Sequence, residues 1–182
     1  MATVLVPLAQ GCEELEAVTV IDLLRRAGVE VVSAGLDDQP VRASRGTVLV
    51  PDTDLDNALL HDYDMIVLPG GLPGADHLND DPRIIDILKK MAAEDCYTAA
   101  ICAAPKVLAD AGLLKNRNAT AYPGVLDAMT AQGITQQASA VVCDGKIITS
   151  RGPGTAMDFA LVLIEKLLGN DKRDEVEAGL VR

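Results

Sequence analysis

Four short runs are apolar through most of their length: TVLVPLA (3–9), VEVVSAG (29–35), MIVLPGG (65–71) and YTAAIC (97–102). Segments with helical periodicity lie between them, of which EELEAVTVIDLLRRAG and PRIIDILKKMAAED are the clearest. A strand with no polar face has to be covered on both sides. Strands of that kind alternating with helices form a mostly parallel sheet, because each parallel crossover carries a helix onto one face or the other.

The expected fold is therefore α/β, a flavodoxin-like three-layer sandwich with helices on both faces of the sheet. One domain over residues 1–182 suits the length, and 49% apolar residues are enough for its core. Aromatics make up only 2%, so that core must be built of Val, Leu, Ile and Ala. The segment AVVCDGKIITSRG reads as an antiparallel hairpin around Asp144–Gly145, at a sheet edge or as a local insertion. TAMDFALVLIEKLLG reads as a long helix closing on Gly169, and only the last few residues lack a strong structural signal.

The net charge of −11 argues against nucleic acid as a stable partner, since such a surface repels phosphate backbones. No window of about 18 apolar residues predicts a membrane span. The N-terminus lacks the charged region and cleavage pattern of a secretory signal, so a cytoplasmic chain is expected. Its four cysteines, Cys12, Cys96, Cys102 and Cys143, are then expected to be reduced. They form no C-x-x-C, and only His61 and His77 could join them, so no metal site is expected. Phosphate-loop and dinucleotide motifs are absent, and no cofactor is implied.

In open parallel sheets, ligands bind outside the carboxyl ends of the strands. Three features gather there. Cys102 falls where a strand turns into a helix, flanked by small Ala103 and Ala104. It is either a buried structural thiol or a nucleophile on a tight turn, its thiolate favoured by the helix N-terminal N–H groups. The loop LPGGLPG (68–74) is either an ordinary glycine turn or a set of N–H donors around an oxyanion. In GCEELEAV (11–18), Glu16 aligns with Val20, Leu23 and Ala27, and Glu13 aligns almost as well with Ala17, Val20 and Leu24. Either carboxyl would be desolvated and pushed toward neutral pKa, or would simply complement the helix dipole. Periodicity does not choose between them, whereas Glu14 fits the dipole role best. His61 suits a solvated helix end, and His77 could reach the glycine loop. Cys96 and Cys143 read as packing or surface thiols. Cys12 lies at a strand end and could approach Cys102 as a resolving thiol.

Taken together, GCEELEAV, IVLPGG, AAICAAP and TSRGPGTAMDFAL, in this order, resemble the ThiJ/PfpI superfamily of class I glutamine amidotransferase-like domains. They are most similar to the branch of the parkinsonism-associated protein deglycase and its bacterial YajL-like relatives. The resemblance covers essentially the whole chain. It implies a homodimer with Cys102 as an oxidation-prone nucleophile and Glu16, protonated, hydrogen-bonded to its thiolate. It implies an oxyanion hole from Gly70, Gly71 and Ala103, with Arg45, Tyr122 and Pro153 near the pocket or the dimer interface. The implied activity is that of a glutathione-independent glyoxalase or deglycase acting on methylglyoxal, glyoxal and their glycated adducts, in carbonyl and oxidative stress protection. The alternative is a redox sensor or stress chaperone working through cysteine sulfinate. Two departures bear on mechanism. Protease and heat-shock branches carry a histidine directly after the nucleophile, where this chain has Ala103, so peptidase chemistry is not expected. Tyr122 stands where the parkinsonism-associated protein has a histidine, which leaves Glu16 as the main acid–base group.

Overall fold

The apolar runs form the centre of one sheet, and the periodic segments between them form its covering helices. The computed structural model describes residues 1–182, apart from the side chains of 128, 130 and 131. In chain order the elements are β1 (Thr3–Leu8), α1 (Glu14–Arg26), β2 (Glu30–Gly35), β3 (Val41–Arg42), β4 (Val48–Leu49), β5 (Thr53–Asp54), α2 (Leu55–Ala58), β6 (Met65–Leu68), α3 (Gly74–Asp80), α4 (Pro82–Ala93), β7 (Tyr97–Ile101), α5 (Pro105–Asp110), β8 (Asn118–Ala119), β9 (Thr135–Gln136), β10 (Val141–Asp144), β11 (Ile147–Ser150), α6 (Ala156–Leu168) and α7 (Asn170–Gly179).

The main sheet has the order β10-β11-β7-β6-β1-β2-β5. Every neighbouring pair is parallel except β10–β11, so the hairpin takes the edge. Its two-residue turn is Gly145–Lys146, one residue later than the sequence suggested, because Asp144 still pairs with Ile147. From β1 the chain moves outward through β2 to β5 and then crosses back to β6 on the other side of β1. That reversal lies between β1 and β6, and it is where a crevice opens at the strands' carboxyl ends.

Alternate residues of β1 serve opposite layers. Val4, Val6 and Leu8 face one core with Val20, Leu23 and Leu24 of α1 and Phe159, Leu163 and Ile164 of α6. Leu5 faces the other core, with Ile84, Leu88 and Met91 of α4 and Val107 and Leu108 of α5. This period of two on doubly buried strands accounts for the absence of a polar face in the sequence. Helix α4 begins as its sequence predicts, with Pro82 in the first turn and the Asp81 carboxylate accepting from the Arg83 N–H at 2.9 Å. Gly28, at φ 81°, follows the end of α1 in the left-handed conformation that favours glycine. The C-terminal residues form α7, which the sequence analysis did not assign. Only Val176 of that helix is buried, so it carries almost no apolar stripe to read. Among the described residues, no helix is long and apolar enough to cross a membrane.

Candidate active site

Cys102 immediately follows β7, at φ 63°. A non-glycine residue in this left-handed region costs on the order of 1–3 kcal/mol and persists only where its surroundings fix it. Both of its backbone groups are fixed. Its N–H donates to the Ser150 carbonyl at 3.0 Å, and its carbonyl accepts from the Tyr122 N–H at 2.9 Å. Ala103 and Ala104 are buried beside it. The turn thus holds the thiol at the carboxyl edge of the sheet, 9% exposed.

Glu16 sits in the first turn of α1 and is fully buried. Its Oε2 accepts from the Gly70 N–H at 2.8 Å. Its Oε1 is buried with no partner in hydrogen-bonding geometry among the described residues, and the polar side chain lying against the carboxyl is Cys102. The neighbouring acids turn elsewhere. Glu13 accepts from the Ser44 hydroxyl at 2.9 Å, which settles the choice that periodicity left open. Glu14 accepts from the Arg45 and Thr47 N–H groups, so it pins the turn between β3 and β4 rather than only complementing the helix dipole.

The glycine loop has to be glycine for reasons of space. A Cβ on Gly70 would lie 2.6 Å from the Cys102 Cβ and 2.8 Å from Glu16 Oε2. Gly71 adopts φ 87°, and a Cβ there would run into the backbone of residues 11–13. Only a side-chain-free backbone brings these N–H groups to the thiol and carboxyl.

Burial governs the electrostatics. Desolvation pushes the Glu16 carboxyl up to about 7, against the lowering effect of the Gly70 N–H. Desolvation and then the Glu16 charge push Cys102 up to about 12, while the N–H groups of Gly71 and Ala103 favour the thiolate. The strand-end position alone suggested a lowered thiol pKa, and burial, followed by the carboxylate beside it, reverses that direction. The two groups titrate as a unit. With Glu16 ionised, the thiol keeps its proton. With the proton on Glu16, the repulsion is gone, and the two N–H groups favour a thiolate against the desolvation that still opposes it.

Around this pair the structure places Gly152 and Tyr122. A Cβ on Gly152 would lie 4.0 Å from Cys102 Sγ and 3.3 Å from the Tyr122 ring. Tyr122 is half exposed, and Pro153 begins the short turn into α6. Gly152 lies in the TSRGPGTAMDFAL segment that carried the resemblance, but with no side chain it was not singled out in sequence. Arg45 is exposed, and it meets this region only through its backbone bond to Glu14. Cys12 is a fully buried free thiol, pushed up to about 12 chiefly by desolvation, and Gly71 and Gly74 pack on its backbone. His77 donates through Nδ1 to the Gln10 carbonyl at 2.9 Å, and His61 is exposed on another part of the surface. Among the described residues, no group of three or more His, Cys, Asp or Glu is placed to hold a metal ion.

Residues 2–166 match the DJ-1/PfpI family. The chain is 43% identical over 181 residues to Protein DJ-1 homolog A of Arabidopsis thaliana, covering 98% of this chain but 46% of that protein. It thus spans less than half the length of that relative. It is 37% identical over 175 residues to the glutathione-independent glyoxalase DJR-1.2 of Caenorhabditis elegans, covering 96% of this chain and 92% of the relative. Its fold superposes on that of oxidized Toxoplasma gondii DJ-1 with a TM-score of 0.94, at 41% identity, over 100% of this chain and 98% of the other. Sequence match and three-dimensional likeness both extend over nearly the full length, and on these grounds the chain belongs to the DJ-1/PfpI family.

Proposed function

We propose that the protein is a cofactor-independent glyoxalase or deglycase of the hydro-lyase or hydrolase class, acting on methylglyoxal, glyoxal and their early adducts. The observation that carries this reading is the buried Glu16 carboxyl, anchored on the Gly70 N–H and lying against the Cys102 thiol. A related chain of similar length is a glutathione-independent glyoxalase.

The thiolate of Cys102 attacks the aldehyde carbon of methylglyoxal, forming a C–S bond, and the carbonyl electrons become an oxyanion. N–H groups of Gly70, Gly71 and Ala103 receive that charge. Glu16 protonates the oxyanion to give a hemithioacetal, then takes the aldehyde-carbon proton as the neighbouring carbonyl oxygen is protonated to an enediol, and returns it to the neighbouring carbon as the hemithioacetal hydroxyl loses its proton and becomes a carbonyl. The product is a lactoyl thioester. Water cleaves its C–S bond, releasing lactate and returning the thiol. On a glycated amine, the same carboxyl protonates the departing nitrogen. Tyr122 in place of a family histidine leaves Glu16 as the main acid–base group. The site works in a cytoplasmic homodimer in carbonyl stress protection.

A second reading is oxidation sensing or a stress chaperone role, supported by the oxidized state of the Toxoplasma gondii relative. The same donors that face an oxyanion would hold a sulfinate. Lactate formation from methylglyoxal without glutathione separates the two. Parent activity lost in Cys102→Ser supports catalysis. Equal background rates in both chains overturn it in favour of sensing.

A further inference from the structure

Thr155 stands at the N-cap of α6, yet its side chain does not cap that helix. A threonine in this position ordinarily accepts from an N–H of the helix's first turn. Here the hydroxyl turns back along the chain, to Gly152 and Ser150. The helix goes without a cap, and the segment beside Cys102 gains an anchor.

The groups involved form one directed chain. The Gly152 N–H donates to Thr155 Oγ1 at 3.1 Å. The Thr155 hydroxyl hydrogen has two acceptors in reach, Ser150 Oγ at 2.7 Å and the Gly152 carbonyl at 3.0 Å. That carbonyl already accepts from the Thr155 N–H at 2.9 Å, so the nearer Ser150 Oγ takes the hydroxyl hydrogen. Ser150, fully buried, gives its own hydrogen to the Ala140 carbonyl at 2.8 Å. Each hydroxyl accepts once and donates once, and bonds in such a series polarise and strengthen one another.

The chain holds one wall of the candidate site. Gly152 is buried and faces the thiol, since a Cβ built on it would lie 4.0 Å from Cys102 Sγ. It has no side chain with which to lock itself in place, and both of its backbone polar groups bond to Thr155. The sulfur is held separately. The Cys102 N–H donates to the Ser150 carbonyl at 3.0 Å, a backbone bond that no side-chain hydroxyl takes part in. Loss of the Thr155 hydroxyl therefore frees the wall and leaves the nucleophile's own anchor intact.

We propose that Thr155 is a positioning residue for the aldehyde substrate: through Gly152, its hydroxyl fixes the wall that holds the aldehyde against Cys102. The inference rests on the glyoxalase or deglycase reading of the site. The wall contacts the substrate before and during attack alike, so its release falls on KM rather than on kcat.

The test compares Thr155→Val, which removes the hydroxyl and keeps the branched shape, with Thr155→Ser, which keeps the hydroxyl. KM for methylglyoxal should rise at least fivefold in Thr155→Val with kcat within twofold of the parent, and Thr155→Ser should restore both. A second readout needs no turnover: alkylation at Cys102, followed by peptide mass mapping. In Thr155→Val the bulky N-ethylmaleimide should gain at least threefold on iodoacetamide, because a released wall yields to the larger reagent. The iodoacetamide rate and its pH profile should stay those of the parent. An unchanged KM in a chain that turns over, or an unchanged ratio of the two reagents, would overturn the assignment. So would a Thr155→Ser chain as impaired as Thr155→Val, which would assign the effect to packing of the methyl, or a shifted iodoacetamide profile, which would place it on the thiol. A parent that forms no lactate removes the proposed function, and the reagent ratio then decides the role of Thr155 by itself. Should Thr155→Val not fold, Ser150→Ala breaks the next link of the chain, spares the Ser150 carbonyl, and is read in the same way.

Discussion

Glu16 and Cys102 are 86 positions apart in sequence and share one buried pocket, in which the Gly70 N–H holds the carboxyl at 2.8 Å. The pair controls where one proton sits. Its first proton leaves near 7, the value to which burial lifts Glu16, and its second near 12, the value for the thiol beside an ionised carboxylate. Alkylation of Cys102 by iodoacetamide should therefore rise toward pH 7 and then stay nearly flat to pH 10, because the thiolate share of the singly protonated pair is constant there. A single titration near 9, as for an isolated thiol, would sink the coupled description.

The same shift has a stability consequence. The folded-state pKa of Glu16 is raised from 4.5 to about 7. A raised group leaves stability intact below pH 4.5 and removes it as pH climbs through about 7. At 1.36 kcal/mol per unit, the loss is about 3 kcal/mol. Urea unfolding at pH 4.5 and pH 8 should show this fall in the parent and much less of it in Glu16→Gln. Parallel pH profiles for the two chains would contradict it.

Much of this architecture was legible in sequence. Leu5 and Val6 point to opposite cores, so β1 had to read as unbroken apolar sequence, and that pattern alone implied the parallel sheet. The left-handed turn at Cys102 was foreshadowed by its small neighbours. Periodicity left Glu13 and Glu16 level because both sit at the head of the same helix. Ser44, which draws Glu13 away, comes from a turn 31 residues on. Helix α7 was illegible because it buries one side chain, and the direction of the thiol shift because it depends on how deeply other elements bury the sulfur and, second, on a carboxylate from one of them.

Gly70→Ala tests the close packing between the two catalytic candidates. The added methyl would sit 2.6 Å from the Cys102 Cβ and 2.8 Å from the Ile101 carbonyl oxygen. Both are fixed by the sheet, so the loop must move and the Gly70–Glu16 bond lengthen. Overpacking of this kind costs about 1–3 kcal/mol. Urea unfolding should show that loss, and lactate formation should fall at least tenfold. Parent-like values for both would mean that the loop accommodates a side chain and positions nothing.

Gly152→Ala makes the opposite probe, because it leaves the strained turn and the glycine loop untouched. Gly152 is extended, at φ 165° and ψ −167°, a conformation open to alanine. Its new methyl would stand 4.0 Å from Cys102 Sγ, an ordinary contact, and 3.3 Å from the half-exposed Tyr122 ring, which has solvent on one side into which to shift. Stability should therefore change by no more than about 0.5–1 kcal/mol. Access should change more, because the methyl narrows the approach to sulfur without altering its charge environment. Iodoacetamide should react with Cys102 a few-fold more slowly, N-ethylmaleimide at least tenfold more slowly, and glyoxal turnover should survive better than methylglyoxal turnover. A uniform slowing of all four reactions would place the effect on the thiol itself and remove Gly152 as a gate on substrate size.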